Sequence, residues 1–254
     1  MNNPWQIYDD LIEGISDEPT VKNYQSGFYW SSVISSEDNM GIAKTIAVVT
    51  RESIALGETL IGRKIKDVAQ LVKSWNFVEA AIGLAAINSW YNHPDRTGKF
   101  CADHPEFSPN TTDAFSVYFN DIQGKKVTVV GHFPYIENKL SENCQLSVLE
   151  REPSMGDFPD SACEYILPEQ DYVFVTACTF VNKTFTRLLS LSENAKFILV
   201  GPSTPSSKIL FDHNVYGLSG LIVNDTAKMQ NILRGASTMD IFDASDKVDL
   251  IALR

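Results

Sequence analysis

The sequence is poor in the features that identify several large classes of protein. Its 254 residues include four widely spaced cysteines that form no CxxC pair, namely Cys101, Cys144, Cys163 and Cys178. This spacing argues against a disulfide framework and a structural zinc site, and it predicts reduced thiols. No run approaches the roughly 18 consecutive apolar residues of a membrane span. The first residues lack the basic and apolar segments of a secretory signal, so we expect a cytoplasmic protein without a membrane partner.

Basic residues are also scarce. The chain has 21 Lys and Arg against 32 Asp and Glu, which gives a formal net charge of −11 and a pI near 4.8. Such an excess of negative charge disfavours contact with a phosphate backbone, so no nucleic-acid partner is expected. Hydrophobic residues make up 44% of the chain, which is enough for a substantial core. The length allows one large domain or two ordinary ones.

The familiar catalytic motifs are missing as well. The sequence has neither the G-x-S-x-G of many hydrolases nor the Walker pattern G-x-x-x-x-G-K-[ST]. The dinucleotide fingerprint G-x-G-x-x-G is absent, and the four histidines lack the H-x-x-x-H spacing of a metal site. These absences leave a small-molecule ligand, or a metal bound by residues from separate loops, as open alternatives, and homo-oligomerisation is also open.

The pattern of the first hundred residues is that of an α+β unit. A helix is predicted over 4–13, and two aromatic or β-branched runs, 27–34 and 42–50, predict a pair of strands. Two helices are then expected, over Lys64–Trp75 and Phe77–Trp90. We place the first domain at residues 1–100.

The helix predicted over Phe77–Trp90 is apolar on nearly every side, which is typical of a buried helix. It carries Glu79 near its start and Asn88 near its end. Residues 93–112, with three prolines and two histidines, predict a linker. A short helix is expected after it, over Asp113–Asp121.

From Lys125 onward the sequence alternates between apolar runs and helical stretches. Strands are predicted at Lys126–Gly131, Cys144–Glu150, Tyr172–Ala177, Lys196–Gly201 and Val215–Val223. Strands that are apolar on both faces and alternate with helices indicate a parallel sheet covered on both sides. Because ligands bind beyond the carboxyl ends of such strands, the loops that follow them are the candidate site.

The loop after the first of these strands contains Gly131, His132, Phe133 and Pro134. Gly131 allows a tight turn, and His132 has the best position of the four histidines for a functional role. Glu150 ends the next strand, where an acidic residue often binds ribose hydroxyls. A single glycine with this acid predicts nucleotide-like or S-adenosylmethionine-like binding only weakly, and Glu150 is equally explained by a surface ion pair.

Two further strand-end loops are rich in hydrogen-bonding side chains. The third strand is followed by Thr176, Thr179, Asn182 and Thr184, which either bind a ligand or cap the next helix. The loop after the fourth strand is stiffened by two prolines and offers hydroxyls to a ligand or a helix cap. Its residues are Gly201, Pro202, Ser203, Thr204 and Pro205.

Four of these segments together resemble the putative heavy-metal chelation family of bacteria and archaea. They are VEAAIGLAAINS (Val78–Ser89), VVGHFP (Val129–Pro134), TACTFVNKT (Thr176–Thr184) and LVGPSTP (Leu199–Pro205). The resemblance covers nearly the whole chain. It implies an α/β protein with an enolase N-terminal-like domain, followed at residues 101–254 by a Rossmann-like domain, and a site in the cleft between them.

The resemblance also implies which residues form that site. Glu79 and Asn182 are its expected catalytic residues, and the other matching positions are Asn88, Gly131, Phe133, Pro134, Thr176, Thr184, Gly201, Pro202, Ser203 and Pro205. Glu79 then becomes a cleft carboxylate facing the Thr176–Thr184 loop, suited to proton transfer or metal binding. The expected ligand is a heavy metal or a metal-chelating small molecule, with a nucleotide-like ligand bound without catalysis as the alternative.

Overall fold

The fold is described from a computed structural model. It covers residues 3–48, 50–54, 59–104, 107–110, 114–133, 139–235 and 239–252, without the side chains of 107–110 and 252. The first part of the chain forms a three-stranded antiparallel sheet covered by helices. Its elements are α1 (Gln6–Glu13), β1 (Val21–Ser26), β2 (Trp30–Ser35), β3 (Met40–Lys44), α2 (Ile65–Ala69) and α3 (Phe77–Tyr91).

The rest of the chain builds an eight-stranded, mostly parallel sheet. Its strands are β4 (Phe107–Asn110), β5 (Lys126–Val130), β6 (Gln145–Glu150), β7 (Phe158–Pro159), β8 (Tyr172–Thr176), β9 (Lys196–Val200), β10 (Gly217–Val223) and β11 (Ser245–Ala252). The strand order is β4-β11-β10-β9-β8-β5-β6-β7. All neighbours from β10 to β7 are parallel, whereas β11 is antiparallel to both β10 and β4.

Short helices connect the strands of this sheet. They are α4 (Pro94–Asp103), α5 (Ala114–Val117), α6 (Cys163–Ile166), α7 (Cys178–Asn182), α8 (Phe185–Leu191), α9 (Lys208–Asp212) and α10 (Thr226–Leu233). Among the described residues, no helix combines the length and the hydrophobicity that a membrane span requires. All four cysteines are free thiols, in agreement with the prediction.

Helix α3 joins the two parts of the fold. It begins where the Asn76 side chain accepts hydrogen bonds from the amides of Val78 and Glu79, and every residue from Glu79 to Ser89 is buried. The helix packs on β2 and β3 and also contacts α7 of the other part. A Cβ at Gly41 would lie 2.1 Å from the Ser89 nitrogen, so only glycine permits this approach. The predicted burial of this helix is confirmed.

The hydrophobic core does not stop between the two parts. One cluster of buried side chains includes Leu11 and Leu84 from the first part together with Val175 and Leu199 from the second. Contacts of this kind fix the orientation of the small sheet and its helices relative to the large sheet. Loops from both parts can therefore border the same cleft.

Several predicted elements differ from the structure. The linker expected at 93–112 contains helix α4, because Pro94 occupies its first turn and the His93 side chain accepts a hydrogen bond from the Asp95 amide. The helix expected over Asp113–Asp121 is reduced to Ala114–Val117. Strands β1 and β11 were not predicted, since their polar residues hide the alternation of half-buried strands.

Candidate functional site

A cleft of about 290 Å³ opens at the carboxyl ends of β5, β8 and β9. Residues of the small sheet complete its wall. It is lined by Trp30, Lys44, Ala114, Phe115, His132, Phe133, Thr176, Cys178, Val200, Gly201, Pro202, Ser203, Ser219, Gly220, Leu221, Met239, Phe242 and Lys247. The sequence placed six of these residues at the site: His132, Phe133, Thr176, Gly201, Pro202 and Ser203.

The sheet topology explains why the cleft lies here. Strand β5 has β6 on one side and β8 on the other, so the order of the parallel strands reverses at β5. The chain connections that follow the strands on either side of this reversal run to opposite faces of the sheet. A crevice therefore forms between the loops at the strand ends. Gly131 after β5 and Gly201 after β9 have φ values of +103° and +104°, which bend each loop sharply at its strand end.

The cleft is unusual in this acidic chain because its charged lining is cationic. Lys44 and Lys247 line it, and the described lining residues include no Asp or Glu. Neither lysine forms an ion pair with a described residue; the Nζ of Lys44 lies 4.4 Å from the ring centroid of Tyr29, and that of Lys247 lies 5.0 Å from Phe242. Because the Lys44 side chain is partly buried, desolvation lowers the pKa of its ammonium group.

The thiol of Cys178 lies beside Lys44 at this cleft. Burial raises the pKa of Cys178, and hydrogen bonds from Thr176 and Ser203 together with the charge of Lys44 oppose that rise. The same Ser203 hydroxyl accepts a hydrogen bond of 2.8 Å from the Lys44 backbone amide. Ser203 therefore fixes the small sheet and the thiol against the loop that follows β9.

Two acidic residues contact His132, which also lines the cleft. Its backbone amide donates a hydrogen bond of 2.8 Å to Oε2 of Glu150, whose Oε1 accepts from the Arg151 amide at 2.7 Å. Its ring Nδ1 lies 3.4 Å from Oδ2 of Asp157, a side chain that is 1% exposed. Glu150 was predicted as a ribose ligand or a surface ion-pair partner, but here its oxygens bind backbone amides of the site loops.

The end of α3 fastens the loop after β9 through buried amides. Asn88 donates to the carbonyls of Ile42 at 2.8 Å and Ser203 at 3.0 Å. Asn92 donates to the Thr204 carbonyl at 3.0 Å and accepts from the Ser206 amide at 2.8 Å. Asn88 and Thr204 are thus part of the support of the cleft, although neither lines it, and Pro205 lies buried between the bonded residues.

Glu79 lies away from the cleft that it was expected to face. Its side chain is fully buried, and Oε1 accepts hydrogen bonds of 2.8 Å from both the Ser53 hydroxyl and the Ile54 amide. Oε2 accepts a bond of 2.7 Å from Ser74, one of the residues lining a second, more open cavity of about 740 Å³. Because the described residues that line that cavity all fall within 50–76, they belong to the first part of the chain.

Asn182, the other expected catalytic residue, also has a local role. Its Oδ1 accepts hydrogen bonds from the Thr184 amide at 3.1 Å and the Thr184 hydroxyl at 2.7 Å, which orders the start of α8. Thr179 donates to the Thr176 carbonyl at 2.7 Å. These three residues do not line the cleft, and Pro134 lies outside the described residues.

Sequence reasoning missed Lys44, Lys247, Trp30, Cys178 and Asn92. Lys44 and Trp30 belong to strands of the small sheet, and Lys247 belongs to β11, so no local motif connects them. Cys178 stood inside a quoted motif but was interpreted only as one of four reduced thiols. Asn92 is the one of these residues that the sequence could have indicated, because it is a polar residue directly after a mostly apolar helix.

The described side chains do not offer a ready site for a bare metal ion. Across the described ranges, no group of three or more His, Cys, Asp or Glu side chains lies close enough together to hold one. The cleft contributes a single histidine and a single cysteine from separate loops. Its donor set is therefore a poor match to the complete ligand shells that protein-bound metals require.

Comparison with known proteins agrees with this architecture. A structure of a protein with unknown function from the DUF364 family of Desulfitobacterium hafniense has 40% identity and a TM-score of 0.89, covering 98% of this chain and 99% of that one. A second DUF364 protein with unknown function, from Pyrococcus horikoshii, shares the fold with 21% identity and a TM-score of 0.81, covering 97% and 98% of the two chains.

Sequence comparison assigns the chain to a family. An uncharacterized protein of Methanocaldococcus jannaschii is 29% identical over 215 residues, which are 82% of this chain and 79% of that protein. Two family models, both described as "Putative heavy-metal chelation", match residues 8–91 and 113–250. The chain therefore belongs to the DUF364 family, which carries this description.

Proposed function

We propose that the cleft between the two sheets binds a small anionic ligand. In this proposal, the metal named in the family description is carried as an anionic complex with its chelator, so the protein binds the chelator and not the bare ion. The observation that carries the proposal is the pair Lys44 and Lys247. Both face one cleft whose described lining contains no acidic residue, in a chain of net charge −11.

Electrostatics favours this ligand class. An ammonium group that has lost part of its hydration gains more from an anion than a fully solvated one, because the local dielectric constant is lower. The rings of Trp30, Phe115, Phe133 and Phe242 provide the apolar remainder of the lining, and Thr176 and Ser203 provide hydroxyl groups. A compact carboxylate chelator with one apolar face has the matching chemistry.

The proposal extends to the two domains. The strand order β7-β6-β5-β8-β9-β10 corresponds to the 3-2-1-4-5-6 order of dinucleotide-binding α/β folds, which supports a Rossmann-like domain within 101–254. The three-stranded antiparallel sheet followed by helices supports an enolase N-terminal-like domain at 1–100. The cleft is then an interdomain cleft.

A nucleotide-like ligand is the weaker candidate. The first strand-end loop has one glycine where close approach of a pyrophosphate needs several, and Glu150 already accepts hydrogen bonds from two backbone amides. The cleft volume of about 290 Å³ also lies just below the range of roughly 300–1,000 Å³ for small-molecule sites. Dinucleotides are larger than this cleft can enclose.

Calorimetric titration tests the proposal with four probes: citrate, nickel citrate, nickel chloride and adenosine monophosphate. We expect citrate or its nickel complex to bind, and nickel chloride not to bind in the cleft. Lys44→Met and Lys247→Met should each weaken binding about tenfold or more, since a hydrogen bond to a charged group contributes about 1.5–3 kcal/mol. Binding should also weaken as salt is added.

Lys208→Met is the matched control, because Lys208 pairs with Asp212 on the surface of α9, outside the cleft. It should bind the probes like the natural chain. Binding of nickel chloride that survives both cleft substitutions, or citrate binding that is equal in all three variants, would contradict the proposal. Tight binding of adenosine monophosphate that depends on Glu150 would favour the nucleotide alternative.

A further inference from the structure

We propose that His132 is the proton-transfer residue of this cleft and that Asp157 is its positioning residue. The inference rests on the proposed function in one respect, because the proton partner is the ligand bound in the same cleft. It adds a chemical step to binding. A chelator must lose protons to hold a metal and regain them to release it, so a proton acceptor beside the ligand couples these events.

The position of the imidazole is fixed from two directions. The His132 amide is bonded to Glu150, and ring atom Nδ1 lies 3.4 Å from Oδ2 of Asp157. Oδ2 of Asp157 also accepts a hydrogen bond of 2.9 Å from the Ser154 amide, which holds the carboxylate in place. The ring is 35% exposed and lines the cleft, whereas the Asp157 side chain is 1% exposed.

The Asp157 carboxylate is only partly hydrogen-bonded. Among the described residues, Oδ1 of the buried Asp157 has no hydrogen-bond partner. A buried carboxylate that is only partly satisfied stabilises a positive charge placed beside it. The carboxylate favours the neutral tautomer with its proton on Nδ1, which leaves the lone pair of Nε2 for the ligand.

The step conserves atoms and charge. A hydroxyl or carboxyl group of the ligand transfers its proton to Nε2, and the ligand gains one negative charge while the imidazole becomes an imidazolium. Asp157 stabilises that cation, and Lys44 and Lys247 stabilise the new anion. Among the described residues, the charged or titratable groups facing this step are Asp157, Glu150 behind the loop, and Lys44, Lys247 and Cys178 in the cleft.

The His213–Asp10 pair provides a matched control outside the cleft. Its ring Nε2 lies 2.7 Å from Oδ2 of Asp10 and joins α9 to α1. There the carboxylate lies beside Nε2 itself. A proton on Nε2 can be donated to Asp10, so the Nε2–H tautomer is favoured at His213. Nitrogen-15 NMR of labelled protein at a pH where the histidines are neutral distinguishes the two tautomers at each ring.

We expect the Nδ1–H tautomer at His132 and its loss in Asp157→Ala, with no change at His213. Asp10→Ala should have the reverse selectivity. An Nε2–H tautomer at His132 in the natural chain, or an unchanged tautomer in Asp157→Ala, would overturn the positioning role. This measurement needs no ligand, so its outcome is independent of whether citrate binds.

Proton exchange upon binding tests the transfer role. Citrate titrations in buffers of different ionisation enthalpy give the number of protons exchanged at constant pH. At citrate concentrations that saturate each variant, we expect His132→Gln to lose part of this exchange and Asp157→Ala to reduce it. If citrate binds to His132→Gln with the full proton exchange of the natural chain, the inference fails although the proposed function stands.

Discussion

The backbone amide of Lys44 donates a hydrogen bond of 2.8 Å to the side-chain oxygen of Ser203. Lys44 ends β3 of the small sheet, whereas Ser203 lies in the loop after β9 of the large sheet. This bond therefore sets where one cleft cation stands relative to the strand-end loops. The Asn88 amide reinforces the same junction, because it donates to the carbonyls of both Ile42 and Ser203.

Ser203→Ala should weaken both the fold and anion binding. The Lys44 amide loses its acceptor, and an unsatisfied buried donor costs about 1–3 kcal/mol. Displacement of the Lys44 ammonium should weaken citrate binding roughly fivefold, which corresponds to about 1 kcal/mol. Urea unfolding and calorimetry measure the two effects.

Ser192→Ala is the control for this change. Ser192 is also buried and donates a hydrogen bond of 2.8 Å to the Leu188 carbonyl, outside the cleft. It should lose stability without losing citrate affinity. If Ser203→Ala behaves in the same way, the Lys44–Ser203 bond has no part in positioning the cation.

Gly131→Ala should be more destabilising than an alanine at other glycines of positive φ. At Gly131 a Cβ would lie 3.0 Å from Cγ2 of Thr176, so backbone strain is joined by a steric contact at the site. Gly62 has a φ of +82° and open space around its Cβ position, and it reports backbone strain alone. We expect the free energy of unfolding to fall by about 1–3 kcal/mol for Gly62→Ala and by more for Gly131→Ala, as measured by urea unfolding. Equal losses would show that the Thr176 side chain moves aside without cost.

The parts of the fold that were predicted correctly are those with a local signal. The five apolar runs after Lys125 are strands of the large sheet, and the apolar stretch from Phe77 is the buried helix α3. Their hydrophobicity exceeds any competing local preference, so the tertiary structure did not change their type. The polar strands β1 and β11 depend on pairing with neighbours that are distant in sequence, which no local pattern contains.

The candidate site shows the same division. The Gly131–Phe133 and Gly201–Ser203 segments were found because residues after parallel strands meet at one edge of the sheet. The two cleft lysines come from β3 and β11, near opposite ends of the chain, and only the folded structure brings them together. Glu79 was expected at the cleft, but the structure buries it elsewhere. Its hydrogen bonds to Ser53, Ile54 and Ser74 could not be predicted from its position in a helix.

Glu79→Gln should lower stability while citrate binding is retained. The carboxylate accepts at least three hydrogen bonds, and an amide group replaces one acceptor oxygen with a donor, at a cost of about 1–3 kcal/mol. Thermal unfolding and calorimetry on the same preparation compare the two properties. The opposite result, loss of binding with unchanged stability, would return Glu79 to the functional role that the family resemblance implies.

Lys183 is the described lysine with the strongest effect of burial. It follows α7 with a left-handed φ of +68°, and its Nζ donates a hydrogen bond of 2.7 Å to the Val181 carbonyl. The rings of Trp75 and Phe77 lie 6.0 and 5.7 Å away, and no described carboxylate forms an ion pair with it. Desolvation lowers the pKa of Lys183 to about 7, so the fold holds its ammonium form at a cost.

Lys183→Met should therefore stabilise the protein at low pH and lose that advantage as pH rises. Below pH 7 the folded and unfolded states both carry the proton, and the folded state bears the full desolvation cost. Between about 7 and 10.5 the unfolded state binds more protons, so the stability of the natural chain rises with pH. We expect a gain of about 1–2 kcal/mol at pH 6. This is well below the roughly 5 kcal/mol that a pKa shift from 10.5 to about 7 gives at about 1.4 kcal/mol per unit, because part of the side chain stays solvated. Urea unfolding at pH 6, 8 and 10 gives the difference in free energy of unfolding between the variant and the natural chain. The control is Lys125→Gln at an exposed position, whose free energy of unfolding should follow that of the natural chain at every pH. A difference for Lys183→Met that does not change with pH would show that the fold does not disfavour the Lys183 ammonium form.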